Sequence, residues 1–273
     1  MCLILLAWHA HPEYPLIFAG NRDEAYDRPS AAADFWKDES DIFGGRDLEK
    51  GGTWLGLNRS GRFAAVTNYR DGQAARKPAP RSRGELTAGF LRGPEEPEGY
   101  LKKIAPDADQ FGGFSLLVGN LNRLSYLSNR GSGVQDLSTG VHGLSNHLLD
   151  TPWPKVRLGK QRVAALLAAG EKQLMDGLFR ALADQSPASD SELPDSGVGL
   201  QRERELSSAF IAGERYGTRA STVLLVSRGN EAVFVERAFG PMGLPAGPEV
   251  SRRFALQVER ASGRKTKAAG HDV

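Results

Sequence analysis

Two apolar runs open the chain, Leu3-Ile4-Leu5-Leu6-Ala7-Trp8 and Leu16-Ile17-Phe18-Ala19, either side of a turn from His9 to Pro15. Short apolar runs bounded by turn residues predict a buried β-hairpin. With Pro12 near the middle of the turn, Trp8 faces Leu16 and Cys2 faces Arg22, give or take one residue. Opposed residues of an antiparallel pair project from one face. Cys2 is therefore expected beside Arg22 and its neighbours Asn21, Asp23 and Glu24.

The same pattern recurs along the chain. Trp54–Leu57 and Arg62–Asn68 form a second hairpin around a four-residue loop ending in Gly61, and its second strand delivers Asn68, Tyr69 and Arg70 together. Phe114–Gly119 with Leu124–Ser128, and Tyr216–Val226 with Ala232–Phe239, make a third and a fourth, and a last strand is expected near Arg253–Val258. Between them lie helical stretches. Ser82-Arg83-Gly84-Glu85 is a capping box opening a helix to about Leu91. A short helix follows near Pro97–Ile104. Thr151, Pro152 and Pro154 frame one from Pro154 to Ala169, and Lys172–Ala183 and Gln201–Ala212 are two more. Ala25 to Ser40 reads as an irregular surface segment and Asp184 to Leu200 as a long loop. The glycine-dense stretches Phe43–Asp47 and Lys50–Thr53 carry neither nucleotide-loop pattern, so they read as places of close backbone approach or positive φ. Hairpins at both ends with helices clustered between them argue for one α+β domain over residues 1–262, with 263–273 a disordered basic tail.

Composition narrows the function. The 273 residues are 40% hydrophobic and 25% charged, as in an ordinary globular protein. A net charge of +2 gives no electrostatic case for nucleic acid. A single cysteine excludes an internal disulfide framework and a cysteine-based metal cluster. No apolar run reaches membrane-spanning length, and the N-terminal run lacks a basic flank, so the expected compartment is the cytoplasm. His9-x-His11 with Glu13 lies in an exposed turn, and no metal site is expected there. The stretch from Gln73 to Arg83 holds Arg76, Lys77, Arg81 and Arg83, which suit either a solvated loop or recognition of phosphate or carboxylate.

The position of Cys2 carries the sharpest chemistry. A small residue after Met1 permits removal of the initiator methionine, which frees the Cys2 α-amine. That amine has a pKa of about 7.7–8.0 and a free thiol one of about 8.5. One residue then supplies both nucleophile and general base. Arg22 favours the thiolate, and Asp23 orients the ammonium or the arginine. The alternative is a small apolar residue that merely starts a strand.

Cys2, Asn21-Arg22-Asp23-Glu24, Gly51-Gly52-Thr53-Trp54-Leu55-Gly56 and Val66-Thr67-Asn68-Tyr69-Arg70 together resemble the NRDE family, also called the transport and Golgi organisation protein 2 family. Ser82-Arg83-Gly84, Ser128-Asn129-Arg130, Gly143-Leu144-Ser145-Asn146, Asp150-Thr151-Pro152-Trp153 and Tyr216-Gly217-Thr218-Arg219 fit it too, so the resemblance spans residues 1–240. It implies an N-terminal-nucleophile αββα sandwich, two antiparallel sheets flanked by helices. By the logic of bile-salt and penicillin V acylases, it implies catalytic roles for Cys2, Arg22, Asp23, Asn146 and Arg219. Asn21, Glu24, Trp54, Asn68, Tyr69 and Arg70 are then substrate-binding, with Asn68 a second oxyanion donor beside Asn146. The implied reaction is cleavage of a linear amide or thioester of a small acylated metabolite, with no cofactor required for chemistry. The alternative it implies is non-catalytic binding and trafficking of haem, or of acyl-CoA or lipid, on the same fold. Haem would draw axial ligands from His9, His11, His142, His147 and Cys2. Acyl-CoA would meet Arg70, Arg76 and Arg81 through its phosphates, and Trp54 and Tyr69 through its base.

Overall fold

The computed structural model describes residues 2–72 and 79–258. In order the chain forms β1 (Cys2–Trp8), β2 (Leu16–Ala25), β3 (Ser30–Phe35), β4 (Ile42–Asp47), β5 (Leu55–Asn58) and β6 (Phe63–Asn68). Helices α1 (Arg83–Arg92) and α2 (Pro97–Ile104) follow, then β7 (Phe114–Gly119), β8 (Leu124–Ser128), β9 (Gln135–Asp136) and β10 (Gly140–Leu144). The remainder is α3 (Pro154–Ala164), α4 (Glu171–Leu182), α5 (Leu200–Glu205), β11 (Tyr216–Val226), β12 (Glu231–Ala238) and β13 (Val250–Ala255). One six-stranded sheet runs β10-β1-β2-β11-β12-β13 and a seven-stranded sheet runs β3 to β9 in sequence order. Every pairing within both is antiparallel.

Alternation along the strands builds the layers. On β1 and β2, Ile4, Leu6, Trp8, Leu16 and Phe18 face the second sheet and cluster with its Phe43, Leu57 and Phe63 and with Phe234 of β12 in their own sheet. Their neighbours Leu3, Leu5, Ala7, Ile17 and Ala19 face outward and are covered by Val156 and Val163 of α3 and Leu174, Leu178 and Leu182 of α4. On the second sheet Ala64, Val66, Leu116 and Val118 are covered by Leu86 and Phe90 of α1 and Tyr100 and Leu101 of α2. The result is the expected α+β sandwich, helices–sheet–sheet–helices. Burial on both faces explains why β1 reads as an unbroken apolar run, since neither face needs polar residues. The pairing of β1 with β2 is the expected one, from Cys2 opposite Arg22 to Trp8 opposite Leu16.

Four expectations need correction. Residues 30–35 form an edge strand, not an irregular segment. Their alanines carry little strand propensity, and the pairing is held by burial of Ala33 and its N–H, which donates to Glu236 Oε1 at 2.8 Å. The helix expected to run to Ala212 stops at Glu205, because the next carbonyls are taken by side chains. Lys155 Nζ donates to Leu206 O and Asn21 Nδ2 to Ala209 O. The helix beginning at Pro154 ends at Ala164, where Leu166 and Leu167 tighten to i→i−3 bonds. The last strand lies at Val250–Ala255, where it pairs along β12. Met1, the basic residues Arg76 and Lys77, and the expected tail lie outside the described residues.

The glycine-dense loop before β5 is a close approach, as its composition predicted. A Cβ on Gly52 would stand 2.5 Å from the carbonyl carbon of Gly84 and 2.6 Å from its oxygen. Backbone cannot yield there as a side-chain tip can. Gly52→Ala is expected to push α1 off the second sheet at a cost of about 1–3 kcal/mol. The midpoint of urea or thermal unfolding measures it, and an unchanged midpoint would mean that the two segments separate freely.

Candidate functional site

At one end of the sandwich a cavity of about 1200 Å³ opens, reached by Cys2, Arg22, Asp23 and Glu24 from the first sheet and by Thr53, Trp54 and Asn68 from the second. Cys2 is the first residue of β1 and only 7% exposed. It shares a face with Arg22, whose guanidinium stands 3.8 Å from Glu24. Burial pushes the thiol pKa up, nearby Asp23 pushes it further, and Arg22 only partly opposes them.

The tetrad is split by the pleat, which corrects the expectation of four polar neighbours on one side of Cys2. Asn21 turns to the helix side, where its Nδ2 donates to Leu182 O at 2.9 Å and Ala209 O at 2.7 Å and its Oδ1 accepts from Ser221 at 2.7 Å. It ties the end of α4 and the segment after α5 to β2, and it does not line the cavity. Asp23 is 1% exposed; its Oδ1 accepts from Thr218 Oγ1 at 2.7 Å and its carbonyl from the Tyr216 hydroxyl at 3.2 Å. Burial raises its carboxyl pKa, while Lys155, the Thr218 hydroxyl and Arg70 pull it back.

Arg219 reaches the cavity from a register shift in β11, which passes from Thr218 opposite Asp23 to Ala220 opposite Arg22. A bulge of this kind re-aims a side chain. The Arg219 guanidinium donates to the carbonyls of Ala25, at 3.2 Å, and Arg28. Asn146, at φ 51°, is fully buried, and its Nδ2 donates to Asn68 Oδ1 at 2.7 Å and Asn68 O at 3.1 Å. Asn68 lines the cavity and Asn146 stands behind it.

Two further residues expected at the site, besides Asn21, lie elsewhere. Arg70 is buried in an ion pair with Glu203, Nη1 to Oε2 at 2.5 Å, with its guanidinium 4.8 Å from the Trp153 ring. Tyr69 bonds His147 Nε2 through its hydroxyl at 2.7 Å and stacks on the same ring at 4.7 Å. Neither lines the cavity, whereas Trp54, packed against Phe18, does.

The histidines are occupied too. His142 bonds Asp150 and Ser138 O, and His147 bonds Tyr69 and Thr151. His11 bonds Ala169 O and the N–H groups of Glu13 and Tyr14, and His9 packs edge-on against Trp8. None of the four lines the cavity, so these rings do not fit axial ligation of a haem there.

Two groups, Lys155 and Glu236, have no role in the sequence reading, and a third, Arg83, entered it only within the basic stretch that ends the loop before α1. Lys155 is buried on α3, with Nζ donating to Leu206 O at 2.8 Å; burial lowers its pKa to about 8, against the pull of Asp23. Its spacing from Gly159 and Val163, at i+4 and i+8, puts it on the buried helical face, a signal readable in advance. Arg83, first residue of α1, lines the cavity and donates to Gly113 O at 3.1 Å. Glu236 bridges the sheets, accepting from Ala33 N at 2.8 Å and Thr222 Oγ1 at 3.2 Å. No described helix is long and apolar enough to cross a membrane.

The chain is similar to known proteins over most of its length. The mouse Transport and Golgi organization 2 homolog is 35% identical over 258 residues, covering 87% of this chain and 93% of the mouse protein. The human homolog is 34% identical over 277 residues, covering 94% and 100%, and the Drosophila melanogaster protein 30% over 264 residues, covering 86% and 91%. Solved structures offer looser likenesses. A variant of conjugated bile acid hydrolase from Clostridium perfringens superposes with a TM-score of 0.46 at 8% identity, covering 96% of this chain and 100% of that one. A Caenorhabditis elegans N-acylethanolamine-hydrolyzing acid amidase ortholog gives 0.41 at 14%, covering 82% and 92%. Residues 1–241 match the profile of the family described as Transport and Golgi organisation 2, and the chain belongs to that family.

Proposed function

We propose that the protein is a hydrolase of the N-terminal-nucleophile kind, cleaving an amide or thioester of a small acylated metabolite with Cys2 as nucleophile. The observation that carries this reading is the place of Cys2, at the start of β1, beside Arg22, on the wall of a large polar cavity. The thiol is held protonated by burial, so it needs a base. Loss of Met1 supplies one, the Cys2 α-amine, with the Asp23 carboxylate beneath it to orient the ammonium.

The steps follow. Cys2 Sγ bonds to the acyl carbon as its proton passes to the α-amine. The amine returns that proton to the leaving nitrogen or sulfur as the C–N or C–S bond breaks. Water then attacks the acyl-enzyme by the same route and releases the acid and the thiol. Asn146 holds the Asn68 amide by its oxygen, so Asn68 presents its Nδ2 to the cavity and is the donor for the developing oxyanion. That reverses the order of the two asparagines in the sequence reading.

A second reading has one observation in its favour: a thiol whose pKa is raised is not an activated one. A carrier of an acyl thioester would use the same cavity without the chemistry. Unchanged affinity for an acyl thioester in Cys2→Ala, together with no turnover in the native protein, would select it.

Three outcomes test hydrolysis. The native protein is expected to weigh one methionine less than its encoded sequence and to gain one acyl group, mapped to Cys2, from an activated acyl thioester. Retained Met1, or an unreacted Cys2, defeats the reading. Asn68→Ala should slow that acylation by about 10²-fold, and Asn146→Ala by less; the opposite ranking would return the oxyanion role to Asn146. Because the chain has one cysteine, iodoacetamide reports on Cys2 alone. With its pKa raised, the thiol should alkylate slowly near neutrality and gain rate with pH beyond the usual thiol range. Asp23→Asn removes a neighbouring negative charge and should move that profile to lower pH; an unmoved profile would mean that the carboxylate does not reach the thiol.

A further inference from the structure

Seven arginines line the cavity. Five of them stand within salt-bridge distance of a carboxylate: Arg22 with Glu24, Arg28 with Asp47, Arg46 with Asp38, Arg81 with Glu85 and Arg202 with Glu205. Arg83 and Arg219 differ. Among the described residues their hydrogen bonds go to main-chain carbonyls, Gly113 for Arg83, and Ala25 and Arg28 for Arg219. A carbonyl satisfies one donor of a five-donor fork and does not neutralise the charge. The two also share the part of the cavity nearest Glu24. Arg83 feels the fields of Cys2 and Glu24, and Arg219 those of Arg22 and Glu24.

We propose that Arg83 and Arg219 form a seat for an anion, a carboxylate or phosphate carried by the ligand, and that the substrate of Cys2 is therefore an anionic acyl compound rather than a neutral lipid amide. The substrate half of this statement rests on Cys2 being the nucleophile; the seat does not. A planar fork pairs bidentately with either oxyanion, which a lysine cannot do. At about 1200 Å³ the cavity exceeds the roughly 300–1,000 Å³ of ordinary small-molecule sites, which leaves room for an acyl chain beside the charged group. Arg70, expected at the sequence level to meet phosphate, is spent on Glu203, and Arg83 takes that part.

Fluorescence titration of the full-length protein tests the seat with three probes: dansylglycine, its neutral methyl ester, and dansyl-aminoethyl phosphate. At least one anion is expected to bind about tenfold or more tightly than the ester. The tighter of the two anions identifies the group the seat prefers. Arg83→Gln and Arg219→Gln should each remove most of that preference and leave the ester unaffected. Arg83→Lys should keep part of it, and Arg46→Gln, a cavity arginine already paired with Asp38, should stay within about twofold. Should Arg83→Gln unfold, as an unfolding midpoint would reveal, Arg83→Lys and Arg219→Gln carry the test. Equal binding of ester and anions, no saturable binding of either anion at millimolar concentration, or an equal loss in Arg46→Gln overturns the seat. Binding is read without turnover, so an inert Cys2 would defeat hydrolysis and leave the seat standing, and the reverse holds too.

Discussion

The pairing of β1 with β2, buried on both faces, is the constraint on which the site depends. Side chains alternate with a period of two, so a slip of one residue would exchange every inward position for an outward one. Here both exchanges are costly, because the inner face packs against the second sheet and the outer against α3 and α4. The register is locked from both sides. That lock turns the Cys2 and Arg22 side chains toward the second sheet and the Asp23 side chain toward the helices, while all three still reach the cavity.

Beneath the cavity lies a layer of buried charge that a hydrophobic account would not anticipate. Asp23, Lys155, Arg70 and Glu203 are each under a tenth exposed. Removing such groups from water is expensive unless each finds a partner. Lys155 spends its donors on the carbonyls of Leu206 and Ser208, and Glu203 also accepts from Ser196. The segment after α5, which has no regular structure of its own, is thereby held against β2. This loop owes its conformation to side chains from three separate elements, Lys155 of α3, Asn21 of β2 and Thr218 of β11.

What the sequence disclosed follows from the range of the forces involved. Hairpins, the Ser82 capping box and the Cys2–Arg22 register are set by residues close in sequence, and they were legible. The edge strand Ser30–Phe35 was not, because its stabilisation comes from Ala33 and Glu236, 203 residues apart. Asn21 and Arg70 show the same limit at the site. Both stand in motifs dense with polar residues, yet one turns to the helix side to cap carbonyls and the other is paired with a glutamate 133 residues away. Arg83 was noted only within a motif and a basic stretch, since nothing local reveals that, among the described residues, its hydrogen bond goes to a carbonyl and not to a carboxylate.

The order of strands in the six-stranded sheet also bears on how the protein is made. The sheet's centre joins β2 to β11, so that Tyr216 bonds a residue 193 positions earlier in the chain. The seven-stranded sheet, by contrast, is assembled from consecutive strands. During synthesis the second can form while the first still waits for its partner from the C-terminal third. Until β11 has left the ribosome the outer edge of β2 has no partner, and the arrival of β11 closes it.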